Sequence, residues 1–250
     1  MRVRLSLILI LLLIGSLLTL GMTGPQDQGM HSGTANGSDN ATEDGYWECP
    51  IAPESLIQCR LDGIYGAALV DGQNGWAVGA EGLLLRFRAG QWGQVAPLPA
   101  TWVAAIALTD ARTGWAVGYG YFGAGIYRLE NDRWTSFSNT ISAPLRAVAL
   151  SGEAAWAVGD AGVLLSYDGN AWQQQPSPTA KALYGVALSS PSTGWAVGED
   201  GVILRFDGGW SAVESPTAQH LRALALMSDA EGWAVGDGGV LLRLRAGVWS

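Results

Sequence analysis

The chain has 250 residues and a formal net charge of −8, so one principal domain with a full core is expected and a second has little room. Its 35 glycines and 12 tryptophans against 14% charged residues exclude a disordered or fibrous chain and describe tight turns around large aromatics. The acidic surface repels phosphate backbones, which argues against nucleic acid as a partner.

In chain order, residues 5–20 are apolar apart from Ser6, Gly15, Ser16 and Thr19, and Arg2 and Arg4 precede them as a cationic region. This pattern predicts an export leader over residues 1–24, either a cleaved signal peptide or a retained membrane anchor, with everything after it outside the cytoplasm. Residues 25–45 are Gly, Ser, Asn, Asp, Gln and Thr with almost no apolar side chains, a polar tether that cannot order itself by burial. Asn36 and Asn40 stand in glycosylation sequons there. Residues 46–63 carry the only cysteines, Cys49 and Cys59, and outside the cytoplasm these are expected to close a disulfide-clamped loop, with two free thiols as the alternative.

From residue 64 onward the chain repeats itself. G-W-A-V-G stands at residues 75–79, 114–118, 194–198 and 232–236, and A-W-A-V-G at 155–159. The central tryptophans, Trp76, Trp115, Trp156, Trp195 and Trp233, are 39, 41, 39 and 38 residues apart. A second tryptophan follows each at Trp92, Trp134, Trp172, Trp210 and Trp249. Short apolar runs open the copies at residues 64–69, 103–108, 145–150, 183–188 and 221–226, and a third apolar segment such as Val163-Leu164-Leu165 completes each core. Four short segments per copy separated by Gly, Asp, Asn, Pro and Ser are strand and turn signals; in the third copy they predict strands A to D at residues 145–150, 155–158, 163–167 and 171–174.

A four-stranded unit of about 40 residues that must bury both faces against its neighbours is a propeller blade. The predicted fold is therefore all-β, a β-propeller of about five blades over residues 64–101, 102–144, 145–182, 183–220 and 221–250, or part of a six- or seven-bladed one. Strand A is small-residued, as an innermost strand crowded around an axis requires, and the repeated strand-B tryptophans are expected to fill the wedges between blades. Trp47-Glu48-Cys49-Pro50 is similar to the strand-D segment beginning Trp172-Gln173, so residues 46–63 could supply a ring-closing strand.

Tandem G-W-A-V-G followed by G-x-L-L and a D-G-x-x-W-like turn resembles the Asp-box (BNR-like) propellers, particularly the photosystem II stability and assembly factor family, over residues 64–250. The Asp-box pattern S-x-D-x-G-x-x-W is approached by Ser166-Tyr167-Asp168-Gly169-Asn170-Ala171-Trp172, one residue short between Asp and Gly. Arg86, Arg128, Arg205 and Arg243 replace the serine in the other copies. The resemblance implies an exported, non-catalytic propeller that holds a membrane-protein partner, although the same repeat also serves glycosidases and receptor ectodomains.

Chemistry of other kinds has few residues to use. The only histidines are His31 and His220, and no metal-ligand cluster, cofactor motif or nucleophile elbow is present. Gly118 to Gly123 reads G-x-G-x-x-G, but it lies between two strands with no helix to meet a phosphate. The same stretch is an insertion, because Trp134 follows Trp115 by 19 residues where the other copies have 15 or 16, and it is expected to present Tyr119, Tyr121 and Phe122 on a loop. The second strand-A position varies while its neighbours repeat: Tyr65, Ala104, Arg146, Tyr184 and Arg222. Variation inside a repeat marks a surface. With the acids Glu81, Asp160, Glu199, Asp200 and Asp237 of the turns between strands B and C, these residues form the predicted partner-binding face, for a protein or a glycan. The alternatives are a carbohydrate-active enzyme, with Arg146 and Arg222 clamping a carboxylate and Tyr184 as nucleophile, and a structural ectodomain with no ligand.

Overall fold

The computed structural model describes residues 63–250, so the leader, the tether, the Cys49–Cys59 loop and the proposed ring-closing strand lie outside the described residues. Five four-stranded antiparallel sheets follow one another along the chain. Blade one is β1 (Ile64–Leu69), β2 (Asn74–Gly79), β3 (Leu84–Arg88) and β4 (Gln91–Gln94). Blade two is β5 (Ala100–Asp110), β6 (Thr113–Gly120), β7 (Gly123–Glu130) and β8 (Arg133–Ser136). Blade three is β9 (Leu145–Ser151), β10 (Ala154–Gly159), β11 (Leu164–Tyr167) and β12 (Trp172–Gln174). Blade four is β13 (Leu183–Ser190), β14 (Thr193–Gly198), β15 (Ile203–Asp207) and β16 (Trp210–Val213), and blade five is β17 (Leu221–Ser228), β18 (Glu231–Gly236), β19 (Leu241–Arg245) and β20 (Val248–Trp249). The predicted all-β propeller with strands A to D in each copy is the fold observed, and these strands belong to one of two units of the chain, Asp62–Ser250.

The two-residue period of a strand explains the repeated pentapeptide. In β2 the side chains of Trp76 and Val78 point toward blade two, where they pack with Tyr127, Leu129 and Trp134. Ala77 lies on the opposite face and is buried there. The same tryptophan of each blade meets the strand-D tryptophan of the next edge to face: Trp76 on Trp134 at 5.6 Å, Trp115 on Trp172 at 5.1 Å, Trp156 on Trp210 at 5.3 Å and Trp195 on Trp249 at 5.6 Å. Such pairs add stabilisation beyond the area they bury. Inner strands pack in sequence, β1 on β5, β5 on β9, β9 on β13 and β13 on β17. They do so closely: a Cβ on Gly66 would stand 3.2 Å from the Ala104 carbonyl oxygen, which is why strand A is built of Gly and Ala.

The wedge-filling role expected of all five strand-B tryptophans holds for four. Those four are at most 7% exposed, whereas Trp233 is 37% and Val235 42% exposed, because no further blade among the described residues covers the strand-B face of blade five.

The insertion in blade two is also corrected. Only Tyr121 and Phe122 stand on a connection, a two-residue tip closed by Gly120 opposite Gly123; β6 and β7 are eight residues each and β5 eleven, so the added residues mainly lengthen three paired strands and Tyr119 lies on β6. Extra residues with backbone partners on both sides extend a ladder instead of leaving amides unpaired. Strand A of this blade accordingly begins at Ala100, two residues before the predicted boundary.

A further device holds blade two in place. Tyr127 is buried and donates its hydroxyl proton to the Pro99 carbonyl at 2.9 Å. Burial pushes its pKa up from 10.0 to about 12. A raised folded-state value means this contribution is intact below pH 10 and is lost as the pH rises toward about 12. Tyr127→Phe is expected to lower stability by about 1 kcal/mol, because the Pro99 carbonyl loses its donor. The spectrophotometric tyrosine titration of the variant should lack the latest-titrating group; an unchanged alkaline limb would show that Tyr127 ionises normally.

Candidate binding face

Antiparallel strands place the start of each strand A and each B–C turn at the same end of the blade, and the repeat register makes the five strand-A positions equivalent. In blades three, four and five the B–C turn is three residues long, Asp160–Gly162, Glu199–Gly201 and Asp237–Gly239. Its first residue is tied to the incoming chain by a backbone bond, Asp160 N–H to Pro144 O, Glu199 N–H to Ala182 O and Asp237 N–H to His220 O, each within 2.9 Å. The acid at that first position therefore has a fixed location beside the second residue of strand A.

What the acid does depends on its strand-A neighbour. Arg146 grips Asp160 with two bonds of 2.8 Å from Nε and Nη2. Arg222 grips Asp237 in the same way at 2.8 and 2.7 Å. Blade four has Tyr184 in the arginine position, and there Glu199 instead accepts the Ala182 backbone N–H at 3.0 Å. The hydrogen bonds that Arg146 and Arg222 donate to Asp160 and Asp237 raise the pKa of the two arginines. The bond from Arg222 holds the Asp237 carboxyl below its ordinary value, so the pair persists into acid and is lost only as the pH falls through that lowered value.

Each arginine also stacks across the blade boundary. The Arg146 guanidinium lies 4.9 Å over the Trp102 ring of blade two, and that of Arg222 lies 4.7 Å over the Tyr184 ring of blade four. Trp102 in turn meets Tyr119 at 6.1 Å, and Tyr184 meets His220 edge to face at 6.2 Å. His220 accepts the Asp200 backbone N–H on Nδ1 at 2.9 Å, and Lys181 pairs with Asp200 at 3.2 Å. The result is a band of alternating guanidinium and aromatic faces over blades two to five.

The structure thus brings Arg146, Tyr184 and Arg222 together and attaches Tyr119, which is half-buried on β6 and not on a loop. Tyr65 stands exposed at the start of β1 without a contact to the others. Tyr121 and Phe122 form the exposed tip of the β6–β7 hairpin, on the rim of a cavity of about 440 Å³ that Asn139, Ile141 and Tyr127 also line. Sequence reasoning missed Trp102, Lys181 and the placement of His220. Trp102 breaks the repeat, since Gly63, Pro144, Ala182 and His220 stand at the equivalent place, and that irregularity was the available signal.

The arginines that displace the Asp-box serine have a structural role. Arg86, Arg128, Arg205 and Arg243 face the strand-B tryptophans in register and stack on Trp76, Trp115, Trp195 and Trp233 at 4.6 to 5.8 Å. Among the described residues, no group of three or more His, Cys, Asp or Glu side chains is placed to hold a metal. Both forks that the enzyme reading assigns to a substrate carboxylate are closed on the protein's own acids.

No family model matches the sequence, and no curated protein does. Solved structures do. YCF48 bound to a D1 peptide is 20% identical, with a TM-score of 0.58 over 75% of this chain and 65% of that one. The WD40 β-propeller domain of Doa1 is 10% identical, with a TM-score of 0.59 over 75% of this chain and 67% of that one. YCF48 from Cyanidioschyzon merolae is 17% identical, with a TM-score of 0.58 over 76% of this chain and 69% of that one. The chain spans about two thirds of the length of these proteins. The repeat, the five sheets and these likenesses together make this chain a β-propeller, in the fold that YCF48 and the Doa1 WD40 domain also adopt.

Proposed function

We propose that this chain is a non-catalytic scaffold outside the cytoplasm that holds a polypeptide partner on the strand-A face. The observation that carries the reading is the band in which Arg146 lies on Trp102 and Arg222 on Tyr184, each guanidinium oriented by its own aspartate. Planar faces that are rigidly held lose little freedom when a peptide settles on them, and Arg, Tyr and Trp dominate such interfaces. One neighbour in fold is described as bound to a peptide, which fits this reading. The leader and polar tether in the sequence support the extracytoplasmic setting.

The test is capture of partners from the source membrane and wall extract by the full chain and by the triple variant Arg146→Ala, Tyr184→Ala and Arg222→Ala, with peptides from the captured protein then titrated against both. The triple variant should bind at least about tenfold more weakly while keeping its circular dichroism spectrum. Equal affinity of the two proteins would remove the strand-A face as the site.

A further inference from the structure

The turns between strands A and B and between strands C and D lie at the opposite end of each blade from the proposed binding face. Elsewhere in the described residues each arginine ion pair is one arginine on one acid, Arg128 with Glu130, Arg146 with Asp160, Arg205 with Asp207, Arg222 with Asp237 and Arg243 with Glu231, and Asp200 lies beside Lys181 and His220. Between blades one and two the proportion changes. Asp132 receives three arginines, Arg86 Nη2 at 3.2 Å, Arg88 Nη2 at 3.0 Å and Arg112 Nε at 3.6 Å.

These three arise from different elements, so their convergence is a property of the fold. Arg86 and Arg88 project from β3, Arg112 from the A–B turn of blade two, and Asp132 from the C–D turn of that blade, where it holds φ at 66°. Arg86 is only 8% exposed and lies 4.6 Å over Trp76; its Nη1 donates to Gly75 O at 3.1 Å, and its buried Nε has no partner. Arg88 and Arg112 are largely exposed. The other two acids of these turns have their oxygens directed at their own loops: Asp71 accepts from Gln73 and Asn74, and Asp110 from the Arg112 backbone N–H. Burial lowers the pKa of Arg86, Asp132 and more weakly Asp71 raise it, and the like charges of Arg88 and Arg112 add to the lowering. Within ion-pair distance the three guanidiniums thus share a single carboxylate, in a chain that is acidic overall.

We propose that Arg88 and Arg112, braced by Asp132 and backed by Arg86, form a site for a tetrahedral oxyanion, a phosphate or sulfate group that is either free or carried on a lipid headgroup. Guanidinium forks match such a group bidentately, and a doubly charged oxyanion answers the local excess better than a singly charged carboxylate. Because the site lies at the end of the blades away from Arg146 and Arg222, it can be filled while the other face holds a partner, and on a bilayer it would turn that face outward.

Inorganic phosphate is titrated against the full chain at constant ionic strength, with thermal unfolding as the readout, on the wild type, on the double variant Arg88→Ala with Arg112→Ala, and on Asp132→Asn. Both arginines are exposed and asparagine tolerates the positive φ, so all three proteins should fold. Phosphate should raise the wild-type Tm in a saturable way and leave the double variant unmoved. Asp132→Asn should bind phosphate at least about fivefold more tightly, since it removes a negative charge next to the site. Flotation with phosphatidylcholine vesicles containing or lacking phosphatidic acid, whose headgroup is a phosphomonoester, then distinguishes the source: arginine-dependent recruitment to the phosphatidic acid vesicles assigns a lipid headgroup, and a phosphate response without it assigns a free ion. No phosphate response in the wild type, an equal response in the double variant, or weaker binding by Asp132→Asn would overturn the proposal.

Discussion

Trp195→Ala is expected to destabilise the propeller by about 3–5 kcal/mol, whereas the same substitution at Trp233 should cost under about 1 kcal/mol. The two residues occupy identical places in adjacent copies of one repeat. Trp195 is 1% exposed, meets Trp249 at 5.6 Å, carries Arg205 over its ring and donates its indole N–H to Asp229 O at 3.2 Å. Truncation leaves a cavity between blades four and five that surrounding sheets can fill only by breaking their own register. Trp233 is 37% exposed and has Arg243 stacked over it at 5.1 Å, so truncation there opens no cavity. Against a total stability of roughly 5–15 kcal/mol the first change is close to unfolding. Urea denaturation followed by circular dichroism would measure both; equal losses would mean that the strand-B face of blade five is covered in solution.

The second large effect is a contrast within the pentapeptide. Gly198→Ala should cost about 3 kcal/mol, seen as a fall in Tm of about 6–12 °C, while Gly194→Ala should stay within about 1 kcal/mol. Backbone conformation is not the cause, because Gly198 has φ −168°, an extended value open to any residue. The obstacle is steric. A Cβ on Gly198 would stand 2.1 Å from the Ala182 carbonyl oxygen and 3.0 Å from Leu183 Cα, both backbone. That carbonyl cannot withdraw without losing the Glu199 N–H bond of 2.8 Å that fixes the B–C turn. The same approach recurs at Gly79, Gly118, Gly159 and Gly236, at 2.0 to 2.2 Å. At Gly194 the nearest atoms are the Ala187 oxygen at 2.6 Å and the Leu188 side chain at 2.7 Å, and blade three carries Ala155 in that place, so the strands can yield there. Thermal unfolding of the two variants side by side decides it, and a Gly198→Ala protein as stable as the wild type would refute the steric account. Since this turn positions Asp200 and the start of β13 positions Tyr184, Gly198→Ala should also weaken partner binding.

Much of the candidate face could be read from residues 146, 184 and 222, since a repeat that keeps its core and varies one position isolates that position. Its partners could not be read in the same way. Arg146 on Asp160 lies within one copy and follows from hairpin topology, but Arg146 on Trp102 and Arg222 on Tyr184 join successive copies, separated in sequence by 44 and 38 residues. The preference for arginine over lysine, with Lys181 the single lysine, becomes intelligible only in space: six guanidiniums lie over aromatic rings at 4.6 to 5.8 Å, a setting that suits a delocalised, weakly hydrated cation better than an ammonium. The blade-two insertion was visible as three or four extra residues between Trp115 and Trp134, yet whether they form a loop or a longer ladder depends on β5 extending to pair with them.

By itself the sequence determined the class of fold, the four-stranded unit, the strands that carry the aromatic anchors and the glycines between them, because each of these follows from local periodicity and from the space one residue leaves the next. Tertiary structure alone decided which faces are covered and which charges meet. Trp233 has the same neighbours in sequence as Trp195 and a different environment, and Asp132 draws three arginines from two blades, because burial and charge pairing are set by what the next blade presents and not by the pentapeptide itself.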